Sequence, residues 1–501
     1  MRALYITSEV FPFAKTGGLA DVSASLPAAL REIGIDVRLL VPGYPQALEC
    51  ASNPQEIVRL GDPLGCGETR LLETCLPHVD VPVWLVDCPA LYNRAGGLYQ
   101  NENGGEWPDN ALRFALLNHV AAGIANEPGR TWRPDLMHCH DWHAGLVPLL
   151  LAGRAQPRPA TVFTIHNLAY QGLFAEDEMA RLDLPANAFA AMEFYGRISF
   201  LKAGIQAADA ITTVSPTYAN EILTPEYGCG LDGLLRKRAS VLTGILNGVD
   251  YRIWDPSTDR YLTANYSVRS IAAKSECKRA IQTELGLEAE ADMPLMAFMS
   301  RLVHQKMPDT ALEALPKLIE EGLQFVLVAE GENGYQTRFR ELAARYPGRV
   351  AVKIGYEEAL GHRLLAAADM LLHPARFEPC GLVPIYAMRY GTIPLVRKSG
   401  GLADTVVDAT PEAIRQGTAT GLAFENPSVA DLAACVRRAI SLYRQPISWR
   451  RIQASAMRQD FSWHRSAKAY ADVYRSLTGA PAVAHSRIVL AQEEGLKKLT
   501  A

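Results

Sequence analysis

RALYITSEVFPFAKTGGLADVSASLPAALREIGIDVRLLV, residues 2–41, is the stretch on which the fold turns. Arg2–Thr7 (RALYIT) is a short apolar run of strand type. Lys15–Val22 (KTGGLADV) is a glycine-bearing loop leading into a helix, and Ala20–Ile33 keeps helical spacing up to Gly34, a C-cap residue. Asp36–Val41 (DVRLLV) restores a strand. Strand, loop, helix and strand in this order form the βαβ unit from which parallel sheets are built.

Nearly the same phrase returns as KSGGLADTV, Lys398–Val406. A Gly-Gly between strand and helix is either turn chemistry, because glycine takes positive φ cheaply, or a cradle of backbone N–H groups for an anion. Asp21 and Asp404 then fall in the early turns of the following helices, where negative charge suits the helix dipole. Further strands are expected at Val81–Val86, Leu136–His140, Ala160–Ile165 and Ala210–Val214. After Gly244–Asp250 the pattern starts afresh, with strands at Leu295–Ser300, Gln324–Ala329, Val350–Ile354, Met370–His373 and Thr392–Val396.

The expected chain is therefore α/β, with two Rossmann-like, doubly wound domains, residues 1–245 and 246–458, facing an interdomain cleft. A C-terminal helix in 459–478 is expected to pack back on the first domain, followed by a small, mixed tail, 479–501. In doubly wound sheets ligands bind beyond the carboxyl ends of the strands, where the glycine-rich loops lie.

Lys+Arg 50 against Asp+Glu 54 leaves no basic excess for a nucleic-acid backbone, so nucleic acid is not an expected partner. The N-terminus meets Glu9 before a signal-like apolar core is complete, and no run approaches the roughly 18 apolar residues of a membrane span. No membrane association and a cytoplasmic location are expected. The 9 cysteines include no C-x-x-C pair and read as reduced thiols. Oligomeric state is not set by the sequence.

G-x-x-x-x-G-K-[ST] does not occur, and no two aspartates stand at i, i+2 to hold Mg²⁺ or Mn²⁺. A phosphate site would then rely on protein cations, and Ser300–Lys306 (SRLVHQK) offers Arg301 and Lys306 directly after a strand. In Arg376–Tyr386 (RFEPCGLVPIY), Pro384 suits a first helical turn, so Gly381–Val383 would present N–H groups to an anion. Glu378 just before it would be repelled by phosphate; it faces a sugar or is a plain helix-entry carboxylate. His138–His143 (HCHDWH) invites a zinc reading, but four converging ligands are not in sight, and Asp141 reads better as a cleft residue. His166, in Thr164–Gly172 (TIHNLAYQG), either bonds a sugar or leaving-group oxygen or satisfies loop backbone.

Taken together these motifs resemble the bacterial glycogen synthases and plant starch synthases. The resemblance runs from about Ala3 to Leu477 and includes WPDNALRF (Trp107–Phe114), HDWHAGL, TTVSPTYANEI, GCGLDGLL, ILNGVD, GYEEALGHRLLAAADM, RFEPCGL, SGGLADTV and QDFSW. It implies a GT-B fold and transfer of glucose from ADP-glucose to the nonreducing 4-hydroxyl of an α-1,4-glucan such as glycogen, with retention and without metal or other cofactor. By the same resemblance Lys15, Gly17 and Gly18, with Arg301 and Lys306, meet the ADP diphosphate. The Cys380-Gly381-Leu382 turn belongs to the donor site, Tyr356 stacks near adenine, Glu378, Asp141 and His166 surround the glucose, and Asp21 and Asn247 are further sugar or acceptor contacts.

The chain departs from the family pattern at three places. Met307-Pro308 replace Gly-Leu after Lys306, Val383-Pro384 replace Thr-Gln, and Ala329–Asn333 replaces Gly-x-Gly-Asp. Pro308 is expected to bias Met307 toward extended backbone. Competing readings are another donor such as UDP-glucose, a phosphorylase with lysine-bound pyridoxal phosphate, and a noncatalytic glucan-binding homologue.

Overall fold

The computed structural model describes residues 1–77, 79–126, 132–152, 157–185, 187–355 and 357–479. The opening stretch forms β1 (Arg2–Ile6), a helix (Gly18–Glu32) and β2 (Asp36–Pro42), with β1 and β2 parallel. The chain continues through β3 (Gln55–Gly61), β4 (Thr69–Cys75), β5 (Pro82–Asp87), β6 (Leu136–His140) and β7 (Ala160–Ile165). A small antiparallel sheet of β8 (Leu173–Phe174), β9 (Glu193–Phe194) and β10 (Arg197–Ser199) precedes β11 (Ala210–Thr213) and β12 (Leu242–Gly244). The first sheet runs β12-β11-β7-β6-β1-β2-β5-β4-β3, parallel except where β4 pairs antiparallel with β3 and β5.

The second sheet contains β13 (Leu295–Leu302), β14 (Gln324–Gly331), β15 (Val350–Ile354), β16 (Met370–His373), β17 (Ile393–Arg397) and β18 (Leu422–Phe424). It is all parallel, in the order β15-β14-β13-β16-β17-β18, which is the 3-2-1-4-5-6 arrangement of a dinucleotide-type doubly wound sheet. Strand order reverses between β13 and β16 there, and between β1 and β6 in the first sheet. These switch points open a crevice at the strand carboxyl ends, and the chemistry collects at them.

Each sheet has its own apolar core. The final helix, Trp463–Thr478, places Trp463, Ala467, Tyr470 and Tyr474 in the core of the first sheet, although it follows the second in sequence. The chain thus crosses between the sheets twice, side by side: Val249 N–H donates to Phe461 O at 2.7 Å, and Ser466 Oγ donates to Leu246 O at 2.5 Å. Gly248 lets these strands touch, since a Cβ there would stand 2.6 Å from Trp463 Cα.

The expectation of extended backbone at Met307 is corrected. Met307 is left-handed (φ 52°, ψ 41°), ending the turn His304–Lys306 and capping the helix Pro308–Glu320. A left-handed non-glycine residue costs roughly 1–2 kcal/mol. The fully buried Met307 side chain offsets this by packing into the second core, where burial contributes about 1.5–3 kcal/mol.

Candidate active site

At the switch point of the first sheet, β1 runs into the loop that carries Glu9 and the first Gly-Gly. Thr16 N–H (2.7 Å) and Gly17 N–H (3.1 Å) donate to Glu9 Oε2, while Thr16 Oγ1 (2.6 Å) and the Tyr99 hydroxyl (2.7 Å) donate to Oε1. Part of the cradle read from the sequence is therefore filled by the chain's own carboxylate. Glu9 and Tyr99 were missed because nothing local pairs them; they lie 90 residues apart.

Turn chemistry does not explain this Gly-Gly. Gly17 is extended (φ −156°) and Gly18 begins the helix. A Cβ on Gly17 would meet nothing within 4 Å, and one on Gly18 would meet only Leu382 Cδ1, at 3.4 Å. Gly18 thus looks across at the helix Leu382–Arg389 that follows the second sheet's β16. Lys15 Nζ donates to Asp21 Oδ1 at 2.7 Å. Burial pushes the Asp21 carboxyl up, and the Lys15 ammonium pulls it back in part. Asp21 and Leu382 share a small pocket with Phe11, Gly248, Trp254 and Trp463.

The second Gly-Gly works differently. Gly400 is left-handed (φ 44°), and a Cβ there would lie 2.0 Å from Glu378 O; one on Gly401 would lie 2.2 Å from Cys380 O. The loop packs directly against the Glu378–Cys380 turn, with Gly401 N–H donating to Glu378 O at 3.0 Å. Lys398 pairs with Glu425 at the surface, 3.2 Å away. Asp404 accepts from Thr217 and Gly400 N–H donates to Glu221, so this loop ties the two sheets together.

At the second switch point Glu378 is nearly buried and its Oε2 binds Lys306 Nζ and, at 3.1 Å, His373 Nε2. Burial would raise the carboxyl, but the Lys306 ammonium and the His373 contact outweigh it and hold it at about 2. Glu378 is an anion at every physiological pH. His373, at the end of β16, was not found from the sequence. Arg301, exposed at the end of β13, forms no ion pair with a described residue. Gly381 is left-handed (φ 85°) and caps the helix whose first turn contains Leu382 and Pro384. The buried Cys380 thiol is pushed up to about 12 by burial, with Asn247 beside it pulling the other way. Tyr356 lies outside the described residues.

At the end of β6, Asp141 takes the unusual φ of 54°. Its Oδ1 accepts from His166 N–H at 2.7 Å. Burial pushes the Asp141 carboxyl up to about 7, against the pull of the His166 and Asn167 backbone N–H groups. Burial lowers His166 to about 3, so its imidazole is neutral near pH 7. Around it His138 bonds Thr164 (2.6 Å) and Tyr474 (2.7 Å), and His140 Nδ1 meets His166 Nε2 at 2.9 Å. The His138 and His140 imidazoles thus serve separate partners, both ring nitrogens of His143 are buried without a hydrogen-bond partner among the described residues, and among those residues no group of three His, Cys, Asp or Glu could hold a metal ion.

Residues 2–237 match the starch synthase catalytic domain family, and residues 286–455 match glycosyl transferases group 1. A glycogen synthase of Burkholderia thailandensis is 52% identical over 95% of this chain and 90% of its own length. The chain belongs to the glycogen synthase family. A glycogen synthase of Paramagnetospirillum magneticum is 50% identical over 96% of this chain and 98% of its own. Among solved structures, the catalytic domain of starch synthase IV from Arabidopsis thaliana, bound to ADP and acarbose, superposes with a TM-score of 0.85. It is 30% identical, over 96% of this chain and 99% of that one. A sucrose-phosphate synthase from Thermosynechococcus elongatus (TM-score 0.59, 19% identity) shares the fold. The protein is a GT-B glycosyltransferase. Among the described residues no helix is long and apolar enough to cross a membrane.

Proposed function

We propose that this glycosyltransferase moves glucose from ADP-glucose to the nonreducing 4-hydroxyl of an α-1,4-glucan, glycogen, with retention of configuration and with no metal or other cofactor. The observation that carries the reading is the buried Lys306–Glu378–His373 cluster, placed with Arg301 at the switch point of the second sheet and reached across the crevice by the Gly18–Leu382 approach. The ADP carried by the starch synthase relative supports the choice of nucleotide.

In this reading Arg301, Lys306 and Lys15 match the charge of the diphosphate, and the Gly17-Gly18 and Cys380-Gly381-Leu382 backbones approach it closely. ADP then leaves without strong acid catalysis, and the oxocarbenium-like transition state is stabilised by preorganised charge. Glu378, always ionised, holds Lys306 and faces the glucose. His166, neutral, offers one hydrogen bond to a hydroxyl, and Asp141 supplies a carboxyl group from the opposite wall; Asp21 and Asn247 border the site. The C1–O bond to the phosphate breaks, the bond from C1 to the acceptor O4 forms on the same face, and the O4 proton passes to the leaving phosphate oxygen.

Elongating glycogen with labelled ADP-glucose and digesting the product with β-amylase tests the reading. Release of the label as maltose is expected. Label that resists the digestion, or no incorporation, refutes it.

A further inference from the structure

His140 is fully buried at the end of β6, stacked on the Tyr5 ring with centroids 3.9 Å apart. Its Nδ1 lies 2.9 Å from His166 Nε2, and its Nε2 is buried with no hydrogen-bond partner among the described residues. Burial keeps both rings neutral near pH 7, so each carries one proton and only one of the two facing nitrogens can hold it. Were it on His166 Nε2, the proton of His140 would sit on Nε2 as a buried N–H with nothing to accept it. Orphaned buried N–H groups are rarer than bare buried acceptors.

We infer that His140 is a positioning residue that fixes the tautomer of His166: His140 Nδ1–H donates to His166 Nε2, which leaves the His166 proton on Nδ1 as a donor toward the cleft. The inference rests on the proposed role of His166 beside the glucose. His166 then cannot take a proton from the acceptor through Nε2, whose lone pair is occupied; its one contribution is a directed N–H. The backbone N–H of His166, held by Asp141, fixes the residue's other end.

The test is the imidazole ¹⁵N spectrum of the full chain labelled at histidine, assigned with His140→Phe and His166→Gln. Wild type is expected to show His166 protonated at Nδ1 and bare at Nε2, and His140→Phe, which keeps a ring on Tyr5, to shift the proton toward Nε2. Loss of one positioned transition-state donor costs about 10²–10³ in kcat, so misdirecting this one is expected to lower kcat about ten- to hundredfold, with the donor KM within about twofold. A wild-type spectrum with His166 protonated at Nε2, or mixed between the nitrogens, overturns the inference. So does unchanged kcat in a folded His140→Phe. If that variant does not fold, the wild-type spectrum alone decides. If wild type transfers no glucose from ADP-glucose, the functional reading falls, and the spectrum still decides the tautomer.

Discussion

The carboxylate of Asp404 receives two hydrogen bonds from Thr217, one from its N–H (2.8 Å) and one from its hydroxyl (2.7 Å), joining the helix after β17 to the helix after β11. Gly400 N–H adds a bond to Glu221 at 2.9 Å. The two sheets are therefore latched by the very loop that packs against Glu378. Charge-assisted bonds contribute about 1.5–3 kcal/mol each at most, and less where half-exposed. Asp404→Ala is expected to loosen this contact between the two sheets, raising the radius of gyration in small-angle scattering and lowering kcat/KM about tenfold. Unchanged scattering and kinetics would show that this contact does not hold the two sheets together.

Gly400→Ala places a methyl 2.0 Å from Glu378 O at a φ of 44°. Strain and overlap of this kind destabilise by about 3 kcal/mol or more, and they act on the Glu378 turn first. Thermal unfolding should show a lower Tm, and the fraction that remains folded should have almost no activity.

Gly18→Ala is the opposite case, since its methyl reaches only ordinary contact with Leu382. Tm should stay within a degree or two of wild type, while the Kd for ADP, read by calorimetry, rises about tenfold or more as the methyl takes space needed by the donor. Undiminished affinity would remove this loop from the donor site.

Glu378→Gln strands the mostly buried Lys306 ammonium. Breaking one side of such a pair costs about 3–5 kcal/mol. Because the native carboxyl sits at about 2, the wild-type advantage is fully present above the unfolded value near 4.5 and fades as pH falls toward 2. Denaturation at pH 7 and pH 3 should show the gap between wild type and variant narrowing at the lower pH.

Asp141 has the reverse sign. Between the unfolded value near 4 and about 7 the native carboxyl keeps a proton that the unfolded chain has released, so this group makes stability fall as pH rises through that window. Asp141→Asn should therefore gain on wild type in Tm from pH 5 to pH 8, and kcat/KM of the variant should lack the wild-type inflection near pH 7.

The βαβ opening and the second run of strands were legible because each is a local apolar pattern with glycine punctuation. β3 and β4 were not: QEIVRLG and TRLLETC mix charge with short apolar runs at an antiparallel edge, where half of each strand stays wet. Lys15, Asp141, His166, Lys306 and Glu378 announce themselves by standing just beyond strand ends. Their neighbours do not. Glu9 with Tyr99, His140 with His166 and Thr217 with Asp404 are pairings across 90, 26 and 187 residues, which only the folded topology brings about. Met307 shows the same limit, since burial in the core overrides the bias of the following proline.

The most direct test is transfer of labelled glucose to glycogen from ADP-glucose and from UDP-glucose in parallel, with Glu378→Ala as the blank. Transfer from ADP-glucose that exceeds transfer from UDP-glucose and vanishes in the blank is the predicted result. Faster transfer from UDP-glucose would contradict the donor assignment, and wild type equal to the blank with both donors would contradict catalysis itself.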